Sequence, residues 1–172
     1  MNSFIGRVVV AAALLFSGLG IAQPARAVDF IIEPIDYDLP AEIAAAAEDG
    51  KTLFVMFGQN GCPYCAKMHK RVFPNPDVGA LYTPSFVMLE LNIKGDLDVV
   101  SHGGEATTEK EYANAMRARA TPLFVYFDKD GKDVLRLTGY QEPGVFMAAG
   151  RYVATAAYAD GTTFLDFVRA GK

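Results

Sequence analysis

The sequence predicts an α/β fold in a single domain, and three observations lead to it. The apolar run Thr52 to Phe57 has the length of a strand, and its unbroken hydrophobicity is typical of a strand buried on both faces of a sheet. Segments with helical periodicity alternate with segments rich in β-forming residues. Two apolar segments joined by the tight turn Asp128 to Gly131 indicate an antiparallel hairpin.

The first 27 residues have the pattern of a secretory signal peptide. Arg7 supplies the positive charge, an apolar stretch follows from Val8 to Ala22, and Ala25-Arg26-Ala27 fits the small-x-small cleavage pattern. A retained membrane anchor is the alternative, but the apolar stretch is short for a span and is diluted by Ser17 and two glycines. We therefore expect cleavage after Ala27 and export across the inner membrane to the periplasm.

Cleavage would leave the 145 residues from Val28 to Lys172, which is the size of one domain. A chain of this length can bury about 68–70% of its unfolded surface without disulfide staples. The full sequence has a net charge of −4, and loss of Arg7 and Arg26 with the leader makes it −6. This acidic balance argues against nucleic acid or an anionic membrane surface as the partner.

The mature chain is expected to begin with an extended arm or edge strand over residues 28–40, followed by the main domain over residues 41–172. Gly50 is expected to end a first helix, Ala41 to Asp49. Residues 94–106 are polar and contain glycines, so they are predicted to form a loop. The remaining predicted elements are helices at Cys62 to about Val72, Asn75 to Tyr82, Thr107 to Arg119, Glu142 onward and Phe164 to Val168, and strands at Phe86 to Leu91, Leu123 to Phe127 and Val134 to Leu137.

The motif Cys62-Pro63-Tyr64-Cys65 contains the only two cysteines of the chain and opens the second helix. A helix N-terminus stabilises a thiolate through unpaired N–H groups and the helix dipole, and the thiolate is the reactive form of cysteine. Pro63 suits the first turn of a helix because its missing N–H is not needed there. We therefore predict a redox pair in which Cys62 is the nucleophile and Cys65 the resolving cysteine.

A purely structural disulfide and a metal site are the alternatives for this pair. A bridge that closes so short a loop removes little entropy from the unfolded chain, so stability is a poor reason for the spacing. Structural zinc needs four ligands, and His69 and His102 are the only other soft candidates. In an exported chain, where structural disulfides usually join distant cysteines, one close pair indicates a working redox group.

The order of these elements around the motif resembles the thioredoxin superfamily from about Asp36 to Lys172. The segments that carry the resemblance are Phe57 to Cys65, Glu90 to Ile93 and Arg119 to Phe124. They are most similar to secreted bacterial thioredoxin-like proteins, including those associated with sulfur-oxidation systems. The resemblance implies a thioredoxin fold, a central mixed β-sheet flanked by helices, and thiol–disulfide oxidoreductase activity that needs no metal, nucleotide or flavin.

The resemblance also implies roles for residues around the cysteines. Pro122 would be a cis-proline facing the two sulfurs, and it would leave the backbone of Thr121 free to pair with an extended substrate segment. The alternative for Pro122 is that it merely begins an edge strand. Pro63 and Tyr64, between the cysteines, are expected to shape the surface that contacts the substrate.

Two departures from the family pattern concern the proton chemistry. The family often has a tryptophan just before the first cysteine, where this chain has Asn60 and Gly61. It often has a buried carboxylate six residues before that cysteine, where this chain has Met56. We hypothesise that Glu90, on the neighbouring strand, relays the proton of the buried thiol instead. The alternative is that Glu90 lies solvated at the strand end.

We expect a monomeric reductant of periplasmic protein disulfides, recharged by a membrane thiol relay. The Cys62 thiolate would form a mixed disulfide with the substrate, and Cys65 would resolve it. An oxidant with a large inserted helical domain is not favoured, since residues 94–120 have room for a loop and one helix only. An isomerase built on a dimerisation domain is not favoured, since only a short arm precedes the fold.

Two other classes of function use the same residues differently. In the first, Cys62, Cys65 and His69 hold a soft ion such as Cu(I), for which thiolates are preferred ligands, and the protein binds or delivers copper. The simpler interpretation of His69 is a solvated histidine on a basic helix face. In the second, the chain is a partner-docking domain whose thiols are idle.

Overall fold

Strands and helices alternate through residues 30–171, the part of the chain that the computed structural model describes. The predicted leader, residues 1–27, lies outside the described residues. The strands are β1 (Tyr37–Asp38), β2 (Thr52–Gly58), β3 (Phe86–Asn92), β4 (Asp98–Val100), β5 (Ala106–Thr108), β6 (Leu123–Phe127) and β7 (Asp133–Thr138). The helices are α1 (Leu39–Glu48), α2 (Pro63–Lys67), α3 (Pro76–Tyr82), α4 (Glu109–Ala115), α5 (Pro143–Ala154) and α6 (Phe164–Arg169), with a π-helical turn (Met68–Val72) continuing α2 and a 3-10 turn (Ala157–Asp160) before α6.

The main sheet has four strands in the order β3-β2-β6-β7. Strands β2 and β3 are parallel, whereas β6 is antiparallel to both β2 and β7. The register places Met56 of β2 between Glu90 of β3 and Phe124 of β6. The expected mixed sheet flanked by helices is therefore confirmed, and so is the hairpin formed by β6 and β7.

Alternate residues of β2 face two separate cores, as expected for a strand covered on both faces. Phe54 and Met56 belong to the core under α2, α3, α5 and α6. Leu53, Val55 and Phe57 belong to the core under α1 and α4. All five side chains are at most 1% exposed. This layering gives a rigid base for the segment that follows Gly58.

Most helix boundaries follow the sequence signals. Asn75 accepts hydrogen bonds from the N–H groups of Asp77 and Val78, so α3 begins where the Asn-Pro pair predicts. Gly50 has a φ of +72° just after α1, as a helix stop requires. Helix α1 begins at Leu39, two residues before the predicted start, because Asp38 caps it by accepting from Ala41 N–H at 3.0 Å.

The prediction of a plain loop over residues 94–106 is wrong in part. Strand β4 lies inside it, and β5 begins at its end. These strands form a second, three-stranded sheet in the order β1-β4-β5, with β4 parallel to β1 and antiparallel to β5. The predicted helix at Thr107 begins at Glu109 instead, because Thr107 and Thr108 belong to β5.

The N-terminal arm lies against β3. Ile32 N–H donates to Met88 O at 3.0 Å, Met88 N–H donates to Phe30 O at 2.6 Å, and Phe30 is 1% exposed in the core. These are isolated bridge contacts rather than a full strand of the main sheet. Within residues 30–171, no helix combines the length and the hydrophobicity that a membrane span requires.

Candidate active site

The cysteine pair lies where the central strand ends and α2 begins. Gly61 adopts a φ of +75°, a conformation that glycine takes without strain, and Cys62 N–H donates to Gln59 O at 3.1 Å. This turn places Cys62 as the residue that caps α2. Its Sγ accepts a hydrogen bond from Cys65 N–H at 3.0 Å. Because a thiolate accepts such a bond better than a thiol does, the contact lowers the cost of ionising Cys62.

Cys62 and Cys65 are joined by a disulfide, with their Cα atoms 5.3 Å apart. Both residues are 6% exposed, so burial does not distinguish the nucleophile from its partner. Their positions in the helix differ, since the sulfur of Cys62 caps the helix whereas Cys65 lies inside its first turn. Pro63 and Tyr64 are exposed between them, and Tyr64 is 55% exposed, so both lie where a partner surface can reach them.

The segment before β6 closes the site from the opposite side. The peptide bond between Thr121 and Pro122 is cis, and Pro122 is buried. The Thr121 hydroxyl donates to Cys62 Sγ at 3.3 Å. Among residues 30–171, no backbone hydrogen bond is made by the N–H or C=O of Thr121. Thr121 therefore contacts the proposed nucleophile through its side chain while its backbone is unpaired.

Met56 and Glu90 occupy neighbouring positions on the face of the sheet that carries α2. Met56 is completely buried in the core that contains both cysteines, so the carboxylate often found at that position is replaced by an apolar side chain. Glu90 lies beside it on β3. Its side chain is 39% exposed, which differs from the buried carboxylate hypothesised from sequence.

Glu90 is bonded to His69 rather than free in solvent. His69 Nε2 lies 2.9 Å from Glu90 Oε2, and the two side chains are equally exposed. The imidazole also packs edge-on against Phe73, with ring centroids 5.0 Å apart. The hydrogen bond and the charge of Glu90 raise the pKa of His69 above its ordinary value, and partial burial opposes them.

Gly58 separates Glu90 from Cys65. A Cβ at this position would lie 3.1 Å from Glu90 Oε1 and 3.6 Å from Cys65 Sγ. The carboxylate oxygen and the sulfur therefore face the same point, and they can be no farther apart than the sum of those two distances. Gly58 has no side chain to stand between them, and the Met56 methyl would lie 3.7 Å from the same point.

The donor set hypothesised for copper does not form a cluster. Within residues 30–171, no group of three or more histidine, cysteine and acidic side chains is arranged to share a metal ion. His69 is bonded to Glu90, and each cysteine sulfur is bonded to the other. The simpler interpretation of His69 as a solvated histidine is also incomplete, because Glu90 holds it in place.

Sequence reasoning missed three features of the site: the His69–Glu90 pair, the space at Gly58 and the hydroxyl contact from Thr121. The spacing of four residues from Cys65 to His69 places both on one side of a helix, which was a usable signal. The even spacing between Phe86, Met88 and Glu90 placed the carboxylate on a defined face of β3. Nothing in the sequence joined these two signals, because the contact depends on how α2 packs on the sheet.

Comparison with known proteins identifies the family of this chain and several structures with the same fold. Residues 39–154 match the thioredoxin-like domain family. A thioredoxin from Thermus thermophilus is 29% identical and covers 73% of this chain and 91% of its own, with a TM-score of 0.57. A thioredoxin-fold protein from Helicobacter pylori is 24% identical over 75% of this chain and 91% of its own, with a TM-score of 0.58. A DsbH oxidoreductase has the same fold at 16% identity, covering 79% and 91%, with a TM-score of 0.53. No curated protein matches the sequence significantly.

Proposed function

This chain belongs to the thioredoxin-like domain family, and from that premise we propose that it is an exported reductant of disulfides in periplasmic protein partners. The family and the Cys62–Cys65 pair make it a thiol–disulfide oxidoreductase. We further propose a direction of electron flow, a compartment, a class of partner and a role for each residue of the site.

One observation carries the proposed chemistry: the sulfur of Cys62 accepts hydrogen bonds from two donors while it is disulfide-bonded to Cys65. The donors are Cys65 N–H at 3.0 Å and the Thr121 hydroxyl at 3.3 Å. Both bonds strengthen when Cys62 Sγ becomes an anion. They therefore stabilise the Cys62 thiolate both when it attacks a disulfide and when it leaves one. A disulfide that served only stability would not need two hydrogen-bond donors to the same sulfur.

The reaction begins with the reduced pair. The Cys62 thiolate attacks one sulfur of a substrate disulfide, and the other substrate sulfur leaves as a thiolate and takes up a proton. Cys65 then loses its proton and attacks Cys62 Sγ, which releases the second substrate sulfur as a thiol. Two electrons pass from the protein to the substrate, and the protein is left with the disulfide between Cys62 and Cys65.

Glu90 is the proposed acceptor of the proton that Cys65 must lose. Its Oε1 faces Cys65 Sγ across Gly58, and its Oε2 is bonded to His69. His69 is 39% exposed, so a proton shared with the pair can pass to bulk water. Glu90 and His69 together would thus take the place of the buried carboxylate that Met56 replaces.

The same surface explains the proposed substrate contacts. Tyr64 is exposed beside the sulfurs, and Pro63 is exposed at the start of α2. The unpaired N–H and C=O of Thr121 are available to hydrogen-bond an extended segment of the partner protein. Pro122, buried behind Thr121, fixes the position of that backbone.

The proposed compartment and direction rest mainly on sequence. The leader pattern of residues 1–27 favours export, and an exported reductant needs a dithiol donor, for which a membrane thiol relay is the proposed source. The segment between β3 and β6 holds two short strands and one seven-residue helix, with no inserted helical domain among these described residues. This argues against a dedicated oxidant of the type that carries such a domain.

The proposal is tested by trapping the mixed disulfide. The reduced Cys65→Ser variant should accumulate a covalent complex with a disulfide-containing protein, because nothing resolves the bond to Cys62. The Cys62→Ser variant should form no such complex, and wild type should release reduced substrate. Equal trapping by both variants would contradict the assignment of the nucleophile, and trapping by neither would contradict the function.

A further inference from the structure

The two segments that form the redox site contain basic residues and no acidic ones. Residues 59–76, which carry both cysteines, include Lys67, Lys70 and Arg71, and residues 112–127, which carry Thr121, include Arg117 and Arg119. All 20 acidic residues of this net-negative chain lie elsewhere in the sequence. We refer to these five basic residues as the basic rim.

The basic rim is available for binding. Lys70, Arg71, Arg117 and Arg119 are exposed, and Lys67 is half-buried with its Nζ 3.6 Å from the centre of the Tyr140 ring. The described residues contain three ion pairs, and none of them involves a rim residue. The rim therefore keeps its positive charges uncompensated by direct ion pairs in residues 30–171.

The acidic groups near the site are held by other partners. Glu90 is bonded to His69, and Glu142, which follows Tyr140, accepts a hydrogen bond from the Tyr140 hydroxyl at 3.3 Å. Neither contacts a rim cation through an ion pair. The rim carries five cations against these two carboxylates, although the chain as a whole is negative.

We propose that the basic rim docks an acidic segment of the partner protein beside the disulfide to be reduced. This inference rests on the proposed function and names its substrate class. Complementary charge raises the rate of encounter and selects among partners more than it adds affinity. An anionic partner approaching a net-negative protein is repelled at long range, so the rim would orient it with its acidic segment towards the cysteine pair.

The geometry sets where the acidic residues should be. Lys70 lies eight residues after Cys62, which corresponds to roughly 12 Å along a helix at 1.5 Å per residue. An extended substrate segment covers this distance in about four residues at 3.3 Å each. The rim cations are exposed, so their attraction for an acidic residue of the partner should weaken as added salt shortens the Debye length from its physiological value of about 8 Å.

The test compares three synthetic peptide disulfides that differ only in charged residues three to five positions from the cysteine: glutamate, glutamine or lysine. The measured quantity is the second-order rate of reduction by the reduced, purified mature protein. Each rate is divided by the rate with dithiothreitol, a small reductant that also attacks as a thiolate but has no basic side chains, to remove the intrinsic reactivity of the peptide towards thiolates. The measurement is repeated at low and high salt.

We expect the acidic peptide to be reduced fastest and the basic one slowest, with the difference shrinking at high salt. The double variant Lys70→Glu/Arg71→Glu should slow reduction of the acidic peptide about tenfold and reduction of the neutral one little. The matched control is Lys129→Glu/Lys132→Glu, which makes the same charge change in the turn between β6 and β7. That turn is at the end of β6 away from Thr121, so the control should leave the preference intact.

Equal normalised rates for the three peptides would overturn the inference while leaving the reductase function standing. Equal effects of the two double variants would also overturn it, since they would indicate net charge rather than the rim. Reduction of none of the peptides would overturn the proposed function and the inference together. Equal peptide rates combined with rim-dependent binding to anionic vesicles would assign the rim to a lipid surface instead.

Discussion

The imidazole of His69 is hydrogen-bonded to the carboxylate of Glu90, with 2.9 Å between Nε2 and Oε2. The bond joins the π-helical turn after α2 to β3, the edge strand of the main sheet. It places a titratable pair beside the gap at Gly58 that faces Cys65. A π-helical turn is uncommon and often occurs at functional sites, which agrees with a pair positioned for chemistry.

The first prediction concerns the titration of His69. Because the hydrogen bond and the charge of Glu90 raise the pKa of His69 and burial opposes them, the Glu90→Gln variant should have a lower His69 pKa than wild type. Proton NMR of the imidazole measures this value directly. The ring of His102, which bonds Tyr112 and packs against Phe127, provides a reference signal away from the change. An unchanged His69 titration in Glu90→Gln would contradict the coupling.

The same pair predicts how stability depends on pH. A histidine whose pKa is raised on folding stabilises the folded state fully below its unfolded pKa of about 6.5, and this contribution is lost as pH rises through the folded pKa. The difference in free energy of unfolding between wild type and Glu90→Gln should therefore be larger near about pH 6 than near about pH 8. Urea unfolding at several pH values measures it. A difference that grows with pH would have the wrong sign for this account.

The space at Gly58 predicts a defect in the resolving step. In Gly58→Ala the new Cβ would stand 3.1 Å from Glu90 Oε1 and 3.6 Å from Cys65 Sγ, so the carboxylate must give way and the methyl group would lie against the sulfur. The initial attack by Cys62 should be little changed, whereas release of substrate from the mixed disulfide should slow several-fold. Stopped-flow kinetics separate the two steps.

Gly144→Ala is the control for this variant, since a Cβ there meets no atom within 4 Å. It lies in α5, where alanine is favoured over glycine, so it should keep wild-type kinetics and gain up to about 1 kcal/mol in stability. If Gly58→Ala slowed the initial attack and the release equally, a general distortion of the site would be the better explanation.

The Thr121 hydroxyl predicts a specific effect on Cys62. Thr121→Val keeps the shape of the side chain but removes the donor 3.3 Å from Cys62 Sγ. The pKa of the Cys62 thiol in the reduced protein should rise by about 0.5–1 unit, equivalent to about 1 kcal/mol of lost hydrogen bonding to an anion. Thiolate absorbance near 240 nm, read as a function of pH, measures the shift. Thr121→Ser retains a hydroxyl and should stay near wild type, and a shift of equal size in that variant would contradict the role of the donor.

Two buried tyrosines predict unequal losses of stability. Tyr82 OH donates to Phe146 O at 2.7 Å, so its single hydrogen is used and Tyr126 OH must donate to Tyr82 at 2.8 Å. Tyr126→Phe removes one hydrogen bond and should cost about 1 kcal/mol. Tyr82→Phe removes both hydrogen bonds at once and leaves the buried Tyr126 hydroxyl without its acceptor, so it should cost about 2 kcal/mol or more. Equal losses in chemical unfolding would mean that the donor order is wrong.

Much of the fold could be predicted from sequence because its signals are local. The apolar run of β2, the cap at Asn75, the stop at Gly50 and the turn at Asp128 each depend on a few adjacent residues. The small sheet was missed because β1, β4 and β5 are only two or three residues long, too short for a period to appear. These strands are defined by the backbone hydrogen bonds that β4 makes with β1 and β5, and sequence patterns do not show such pairing.

The residues of the site also divide into those with a local sequence signal and those whose contacts depend on the tertiary fold. Cys62 and Cys65 are recognisable from their spacing, and Tyr64 from its place between them. The contact of Thr121 with Cys62 joins residues 59 positions apart, and that of His69 with Glu90 joins residues 21 apart. Such contacts depend on tertiary packing, so the sequence could suggest Glu90 as a relay but could not show that His69 holds it.

The equilibrium reduction potential of the Cys62–Cys65 pair, measured against a glutathione buffer on the mature protein, tests the central claim most directly. A reductant recharged across the membrane should have a potential near that of thioredoxin, about −270 mV. A potential near about −120 mV would mean that the reduced form is the stable one. The protein would then be an oxidant of secreted thiols, and the proposed direction of electron flow would be wrong.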